Sequence, residues 1–516
     1  MRGESIRVDE VGSPDDRRAG EPGLHFATAA GRWVLAATVL GSGMAQLDAT
    51  VVNVALPTIG RGLDAGVSAL QLVLTGYSVT LAALILLAGT LGDRFGRRRV
   101  FVIGAVWFTA ASLLCAVAPS LAVLVVARTL QGVGGALLTP GSLSIIQGTF
   151  RREDRARAIG AWSALGGVAA AIGPLVGGYL VQAVSWRAIF LLNLPLGAIV
   201  VWLGLRHVPE SRDETTAGRL DRAGAVLATF GLAGATYAMV EGPSGGLGSA
   251  VVLVAAVVGL VGLAGFVLVE RRLAHPMLPL GIFASRQFTA ANLVTFVVYG
   301  ALGGVFFLLV VVLQVSLGYS PVAAGAASLP VTALMLALSS RSGALAQRIG
   351  PRLPLTVGPL LIAAGMLLMT RIGPGAAYVD TVLPAMVVFG LGLAATVAPV
   401  TATTLAAADE RHAGAASGVN NAVARTAGLL AVALLPPIAG LTGNAFQQPN
   451  LLTAGFHTAM LVTAGLAAAG GLLAFATISN DVLAEQPQAS HPTSCALAGP
   501  PSQPDAAAAA ASSGGV

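Results

Sequence analysis

The sequence predicts an all-α polytopic membrane protein with fourteen transmembrane helices. Of 516 residues, 55% are hydrophobic and 10% charged, with a mean hydropathy of +0.81; soluble domains carry roughly 25% charged residues. Apolar stretches of about 20 residues, each long enough to cross a hydrocarbon core of about 30 Å as a helix, recur along nearly the whole chain. The connections between them alternate between arginine-rich and arginine-poor. The short alternating segments that a β-barrel needs are absent from the sequence.

Breaks at Gly, Pro and charge set the elements in order. The first helix (31–56) begins where a polar, mixed-charge lead gives way to apolar residues. The second (69–91) and third (99–118) flank "GTLGDRFGRRR". The fourth (121–146) ends before "RREDRAR", and the fifth (157–182) and sixth (186–206) meet near Arg187. The seventh (221–241) and eighth (248–270) lie between "RHVPESRDETTAGRLDR" and "ERRLAHPMLPLGIFASR". The ninth (288–315), tenth (321–341), eleventh (353–371), twelfth (380–405), thirteenth (416–440) and fourteenth (455–478) complete the series.

All 29 basic residues are Arg. Connections on one side carry 19 of them, against three on the other, Arg61, Arg187 and Arg371. The positive-inside rule makes the rich side cytoplasmic, and an even helix count puts both termini there. The lead lacks the apolar core of a signal peptide, so the first helix is expected to be retained as an anchor. Residues 1–30 and 479–516 read as disordered cytoplasmic tails. A pI near 10 suggests nucleic acid, but the arginines are short clusters between spans, so they are topology signals and no nucleic acid is expected. Cys115 and Cys495 support neither a disulfide framework nor a metal site.

An internal repeat organises the chain. "GTLGDRFGRRR" (89–99) after the second helix and "GALAQRIGPR" (343–352) after the tenth share the pattern Gly-x-Leu-x-x-Arg-x-Gly. Aligning them gives an N-terminal six-helix bundle (31–206), a linker with helices 7 and 8 (207–287) and a C-terminal six-helix bundle (288–478). Paired bundles with a site at their interface are a common transporter plan.

The first copy resembles the cytoplasmic signature of the major facilitator superfamily. Gly89 and Gly96 allow close packing, Asp93 can accept hydrogen bonds from an adjacent helix end and from arginines, and Arg94 and Arg97 latch the loop. The second copy has Gln347 in place of the acid. "LDATVVNVALP" (47–57) is similar to the first-helix signature of the fourteen-helix drug:proton antiporters of that superfamily. "LVVARTLQGVGGA" (124–136) resembles the basic motif of proton-coupled members. "GGVAAAIGPLVGGYL" (166–180) resembles the antiporter motif, in which Gly173, Pro174, Gly177 and Gly178 permit close packing and a bend. Further matches, "WRAIFLLNLPLG", "HPMLPLGIF", "AGAASLP" and "AGAASGVNNAVARTAG", extend the resemblance over 31–478. It implies a major facilitator fold and a multi-pass exporter in the bacterial cytoplasmic membrane. Such a protein works as a monomer, takes no cofactor, and exchanges entering protons for a small hydrophobic or amphipathic drug or antibiotic.

Intramembrane charges are functional by default. Of 23 acids only Asp48 falls well inside a predicted helix; Asp221, Glu241, Glu270 and Asp380 sit at helix ends. Inside the membrane the basic residues are Arg128 and Arg425. If Asp48 meets Arg128, exclusion of water favours the neutral acid and the guanidinium favours the anion, which makes a proton switch; a permanent structural ion pair is the alternative. Arg425 suits a substrate or gating contact, or snorkelling to the interface. Asn53, Tyr77, Gln131, Asn292, Gln314 and Asn421 are candidate cavity residues, with Asn193, Tyr299 and Asn420 as further polar neighbours; each alone serves equally well as a helix-to-helix hydrogen bond. His457 reads as structural. One acid and two arginines favour neutral, monocationic or anionic cargo over dications.

No "GxxxxGK[ST]" loop, zinc-spaced cluster or serine with a base is present, so neither ATP hydrolysis nor catalysis is expected. A proton-coupled transporter of a native metabolite and a non-transporting membrane sensor are the other readings.

Overall fold

The computed structural model describes residues 23–212, 221–245, 248–273, 276, 278, 280–408 and 413–483. The expected tails fall mostly outside this range. Among the described residues fourteen helices cross the molecule: α1 (Ala29–Gly62), α2 (Val67–Phe95), α3 (Arg97–Ala116), α4 (Leu121–Thr149), α5 (Arg152–Ala183), α6 (Ala188–His207), α7 (Arg222–Gly245), α8 (Ala250–Arg272), α9 (Arg286–Val315), α10 (Pro321–Ile349), α11 (Arg352–Met369), α12 (Tyr378–Ala406), α13 (Ala413–Ile438) and α14 (Pro449–Thr477). Thirteen are long and apolar enough by composition to span a membrane; in α5 the apolar part is shorter, Ile172–Ala183.

Local chemistry sets several starts. The side chains of Thr28, Ser120, Ser285 and Ser320 accept backbone N–H groups of the first turns of α1, α4, α9 and α10, and Pro321 occupies the first turn of α10. Helix α6 is interrupted at Leu192 and α10 at Ala327 and Ser328, just before Pro330; α12 opens with a π-helical turn, Tyr378–Val382, ahead of Pro384. Helix α14 begins six residues earlier than the apolar pattern predicts, because Pro449 fits a helical first turn. The chain before α1 is ordered from residue 23, contrary to a tail extending to 30. Leu24 exchanges backbone hydrogen bonds with Thr149 and Arg151, and the Phe26 N–H donates to Asp154 at 2.8 Å.

Helices α1–α6 pack together, as do α9–α14, and the α7–α8 hairpin lies against α2 and α13. Close passage of α7 and α8 requires glycine: a Cβ on Gly231 would stand 2.8 Å from the Leu263 backbone nitrogen. Between the bundles α5 meets the start of α10, α2 meets α13, and α1 meets α9. One apolar core runs through both bundles at the arginine-poor end, joining Val51, Ile59 and Val73 to Leu308, Val312 and Val331. Toward the arginine-rich end it divides into a cluster around Phe101, Phe108 and Phe150 and another around Phe288 and Val419, with Ala422 of α13 partly buried against the first. Every hydrogen bond between described residues of the two bundles also lies at the arginine-poor end: Val67 N to Gly443 O (3.1 Å), Gln71 Nε2 to Val432 O (2.6 Å) and to Ala433 O (3.3 Å), and Gln314 Nε2 to Val54 O (2.8 Å). Among the described residues the two bundles are therefore joined at that end, and no hydrogen bond between described residues joins them at the other.

The repeat has a physical counterpart. Gly96, between α2 and α3, has φ +107°, and Gly350, between α10 and α11, has φ +86°. Glu210, just after α6, accepts the Arg98 N–H at 3.1 Å; Asn480, just after α14, accepts the Arg352 N–H at 3.2 Å. Each side chain lies against its glycine, where a Cβ would collide with it. Positive φ is costly for any residue with a Cβ. Gly96→Ala should lower stability by about 1–3 kcal/mol, read as a reduced Tm of the detergent-purified protein; an unchanged Tm would contradict this account of the turn.

Candidate functional site

Asp48 is a little past the middle of α1 and 2% exposed. Arg128 on α4 donates from Nη1 to Asp48 Oδ2 at 2.5 Å and to Gln131 Oε1 at 2.6 Å. The other carboxylate oxygen accepts from Gln131 Nε2 (2.8 Å) and from Asn193 Nδ2 (2.9 Å), where α6 resumes after its break. Gln131 and Asn193 both donate as well to the Ser112 hydroxyl of α3, at 2.8 and 3.2 Å. The Arg128 guanidinium lies 4.4 Å from the centre of the Tyr77 ring on α2, and its Nε donates to Val73 O. Five helices thus converge on one carboxylate. Asn193 Oδ1 is buried with no hydrogen-bond partner among the described residues.

Beside this network lies a cavity of about 210 Å³ between the bundles, walled by α1, α2 and α4 on one side and α9 and α13 on the other. Asn53, Tyr77 and Arg128 face it from the N-terminal bundle; Phe306, Phe307 and Arg425 face it from the C-terminal bundle. Arg425 is mid-helix and does not snorkel to an interface; its Nε is shielded from solvent with no hydrogen-bond partner among the described residues.

The family model of the Major Facilitator Superfamily matches residues 38–432. The chain belongs to that superfamily. It is 36% identical over 423 residues to the multidrug resistance protein Stp of Mycobacterium tuberculosis, covering 81% of this chain and 77% of that one. It is 39% identical over 410 residues to the puromycin resistance protein pur8 of Streptomyces alboniger (78% and 80%), and 34% identical over 416 residues to the tetracenomycin C resistance and export protein of Streptomyces glaucescens (80% and 77%). The fold is also that of a bacterial homologue of the human lysosomal transporter Spinster, with a TM-score of 0.61 at 18% identity, covering 88% of this chain and 98% of that one. The protein is a multi-pass, fourteen-helix member of the Major Facilitator Superfamily.

In this major facilitator protein the other sequence-named residues fall in different places. Gln131 belongs to the Asp48 network and is fully buried away from the cavity wall. Asn292 sits in a second polar cluster, where Asn420 Nδ2 donates to its Oδ1 (3.3 Å) and to Thr295 (3.0 Å). Gln314 is spent on the inter-bundle bond to Val54, and Asn421 is exposed, donating to Ser417 O of its own helix. His457 Nε2 contacts Ile372 O at 2.8 Å, a structural tie.

The α2–α3 loop is held within its own bundle. Asp93 pairs with Arg97, four residues on, at 2.9 Å; among the described residues a Cβ added at Gly89 would meet nothing within 4 Å. Arg94 lies over the Phe95 ring. Arg97 N donates to Ser211 O, and Arg98 pairs with Glu210. Glu210 was not singled out in the sequence; an acid in the arginine-rich segment after α6 was the available signal. Ser112, a hydroxyl in an apolar run, gave none.

The glycines of α5 divide their work. A Cβ on Gly173 would collide with Thr50, and one on Gly177 would stand 2.8 Å from Val51 Cγ1, so these two let α5 press on α1. Gly178 instead meets the other bundle: its Cβ would stand 2.5 Å from Pro321 O. Reciprocally, Gly325 of α10 abuts the Pro174 carbonyl. Among the described residues no group of three or more His, Cys, Asp or Glu could hold a metal ion.

Removing one member of a buried pair strands the other. Asp48→Ala and Arg128→Ala should each destabilise by about 3–5 kcal/mol, whereas Asp48→Asn keeps hydrogen-bonding capacity and should cost less; thermal unfolding in detergent ranks them. Gly178→Val should wedge the closed end apart. A cysteine at position 53 would then react faster with an impermeant maleimide applied from the arginine-poor side, and unchanged labelling would refute the role given to this seam.

Proposed function

We propose that this protein is a proton-coupled antiporter, not an enzyme, that exports small hydrophobic or amphipathic drugs or antibiotics. It would sit in the bacterial cytoplasmic membrane with both termini in the cytoplasm, as the arginine distribution favours. The observation that carries the reading is a single titratable carboxylate, Asp48, enclosed beside the inter-bundle cavity and held by an arginine that itself faces the cavity. The names of the relatives support drug or antibiotic cargo.

On this reading the arginine-rich end faces the cytoplasm and the structure is the inward-open state, with Asp48 ionised and its proton released. Cargo enters the cavity, the bundles rock, and the site opens outward. Protonation of Asp48 there removes the charge that fixes Arg128. The new O–H needs an acceptor, and Asn193 Oδ1, now unpartnered, supplies one if the amide turns over. Protonated and ionised Asp48 therefore hold α1, α4 and α6 by different bonds, which is the differential interaction between states that coupling requires.

The test is a resistance screen in a pump-deficient host together with proton-driven efflux in everted vesicles. Wild type should protect against at least one antibiotic and lose transport when the gradient is collapsed. Asp48→Asn should fall to the vector control in both assays. Equal drug accumulation with and without the protein, or efflux indifferent to the gradient, would sink the reading.

A further inference from the structure

We infer that the cavity takes its cargo by an anionic group, a carboxylate, sulfonate or acidic phenol, held against Arg425. The inference rests on the export reading in treating this cavity as the cargo site. It starts from a charge inventory of the cavity wall. Asp48 is saturated by Arg128, Gln131 and Asn193, so that pair contributes no net charge. Arg425 has no such counterpart: it makes no ion pair and no hydrogen bond to any described residue. Glu241, the acid of the neighbouring helix α7, does not pair with it either. The wall therefore carries one uncompensated positive charge.

A guanidinium stays ionised at any physiological pH and presents a planar fork of donors that matches a carboxylate or sulfonate. Leaving one half-buried in an apolar wall without a partner is unfavourable, so a partner delivered by the ligand gains more there than in water. The surroundings suit an aromatic acid. Phe306, Phe307 and Tyr77 supply apolar faces, while Gly303 and Gly428 bring the backbones of α9 and α13 together beside Arg425. A Cβ on Gly303 would lie 2.8 Å from Gly428 Cα, so this wall is backed by packed main chain and cannot fold away. A cation in the same space would face Arg425 with no free carboxylate in reach.

The test uses the full-length protein in neutral-lipid nanodiscs and two dyes on one scaffold, the anion anilinonaphthalene sulfonate and its neutral counterpart phenylnaphthylamine, measured by equilibrium dialysis against empty discs. Arg425→Met should weaken sulfonate binding about tenfold or more and leave phenylnaphthylamine within about twofold, showing that the cavity is intact. Arg425→Lys should restore part of the sulfonate affinity. Equal loss of both dyes, or sulfonate binding indifferent to Arg425, would overturn the inference. The dialysis needs no proton gradient. If efflux fails its own test while sulfonate binding still depends on Arg425, the antiporter reading falls and the anionic subsite stands.

Discussion

The N-terminal bundle is organised around one carboxylate that cannot reach water. Asp48 is nearly as buried as any phenylalanine of the core, and a charge in that position survives only if each oxygen is engaged. Arg128 holds one oxygen, Gln131 and Asn193 the other, and Ser112 ties the two amides together. Because these groups come from α1, α3, α4 and α6, with Tyr77 of α2 against the guanidinium, the carboxylate fixes the relative register of most of the bundle. A change in its protonation is felt by all of them at once. Among the described residues the counterpart in the C-terminal bundle is neutral, Asn292 with Asn420, Thr295 and Thr404.

That difference separates the two halves of a repeated design. Both halves turn from their second to their third helix on a glycine of positive φ, and both anchor that turn with a side-chain oxygen delivered after their sixth helix. The scaffold is duplicated while the charge is not. One half carries the group that can change state, and the other contributes a fixed arginine, Arg425, and an aromatic wall. The α7–α8 hairpin lies across α2 and α13, along one side of the join between the halves.

The fold was legible because the membrane imposes a length on each helix and arginine marks each turn on one side. Asp48 stood out for the same reason: among so few charges, a lone acid in an apolar span is visible by itself. What escaped were residues whose meaning lies in a distant partner. Glu210 and Asn480 are unremarkable polar residues until they meet Gly96 and Gly350, more than a hundred residues away. Gln131, Asn292, Gln314 and Asn421 looked alike in sequence, yet one serves the carboxylate, one a second polar cluster and one the opposite bundle, while the last is exposed and bonds only to a carbonyl of its own helix. Direction around a helix decided among them, and single polar residues in uniformly apolar helices leave that direction weakly specified.

At the closed end, Pro174 and Gly178 of α5 rest on Pro321 and Gly325 of α10, main chain against main chain. That strip interlocks few side chains, so sliding along it resets few rotamers. Cohesion comes from the apolar core shared by the two bundles beside it, around Val51, Val73, Leu308 and Val312, and from a small number of polar clasps. Gln71 and Gln314 each grip a carbonyl across the divide, and both must exchange that carbonyl for water before the halves separate. Val67 adds a third clasp through its N–H to Gly443 O. On the transport reading such a contact is smooth along its main-chain strip and held at its core and clasps, which suits a barrier that is tightly shut yet reversible.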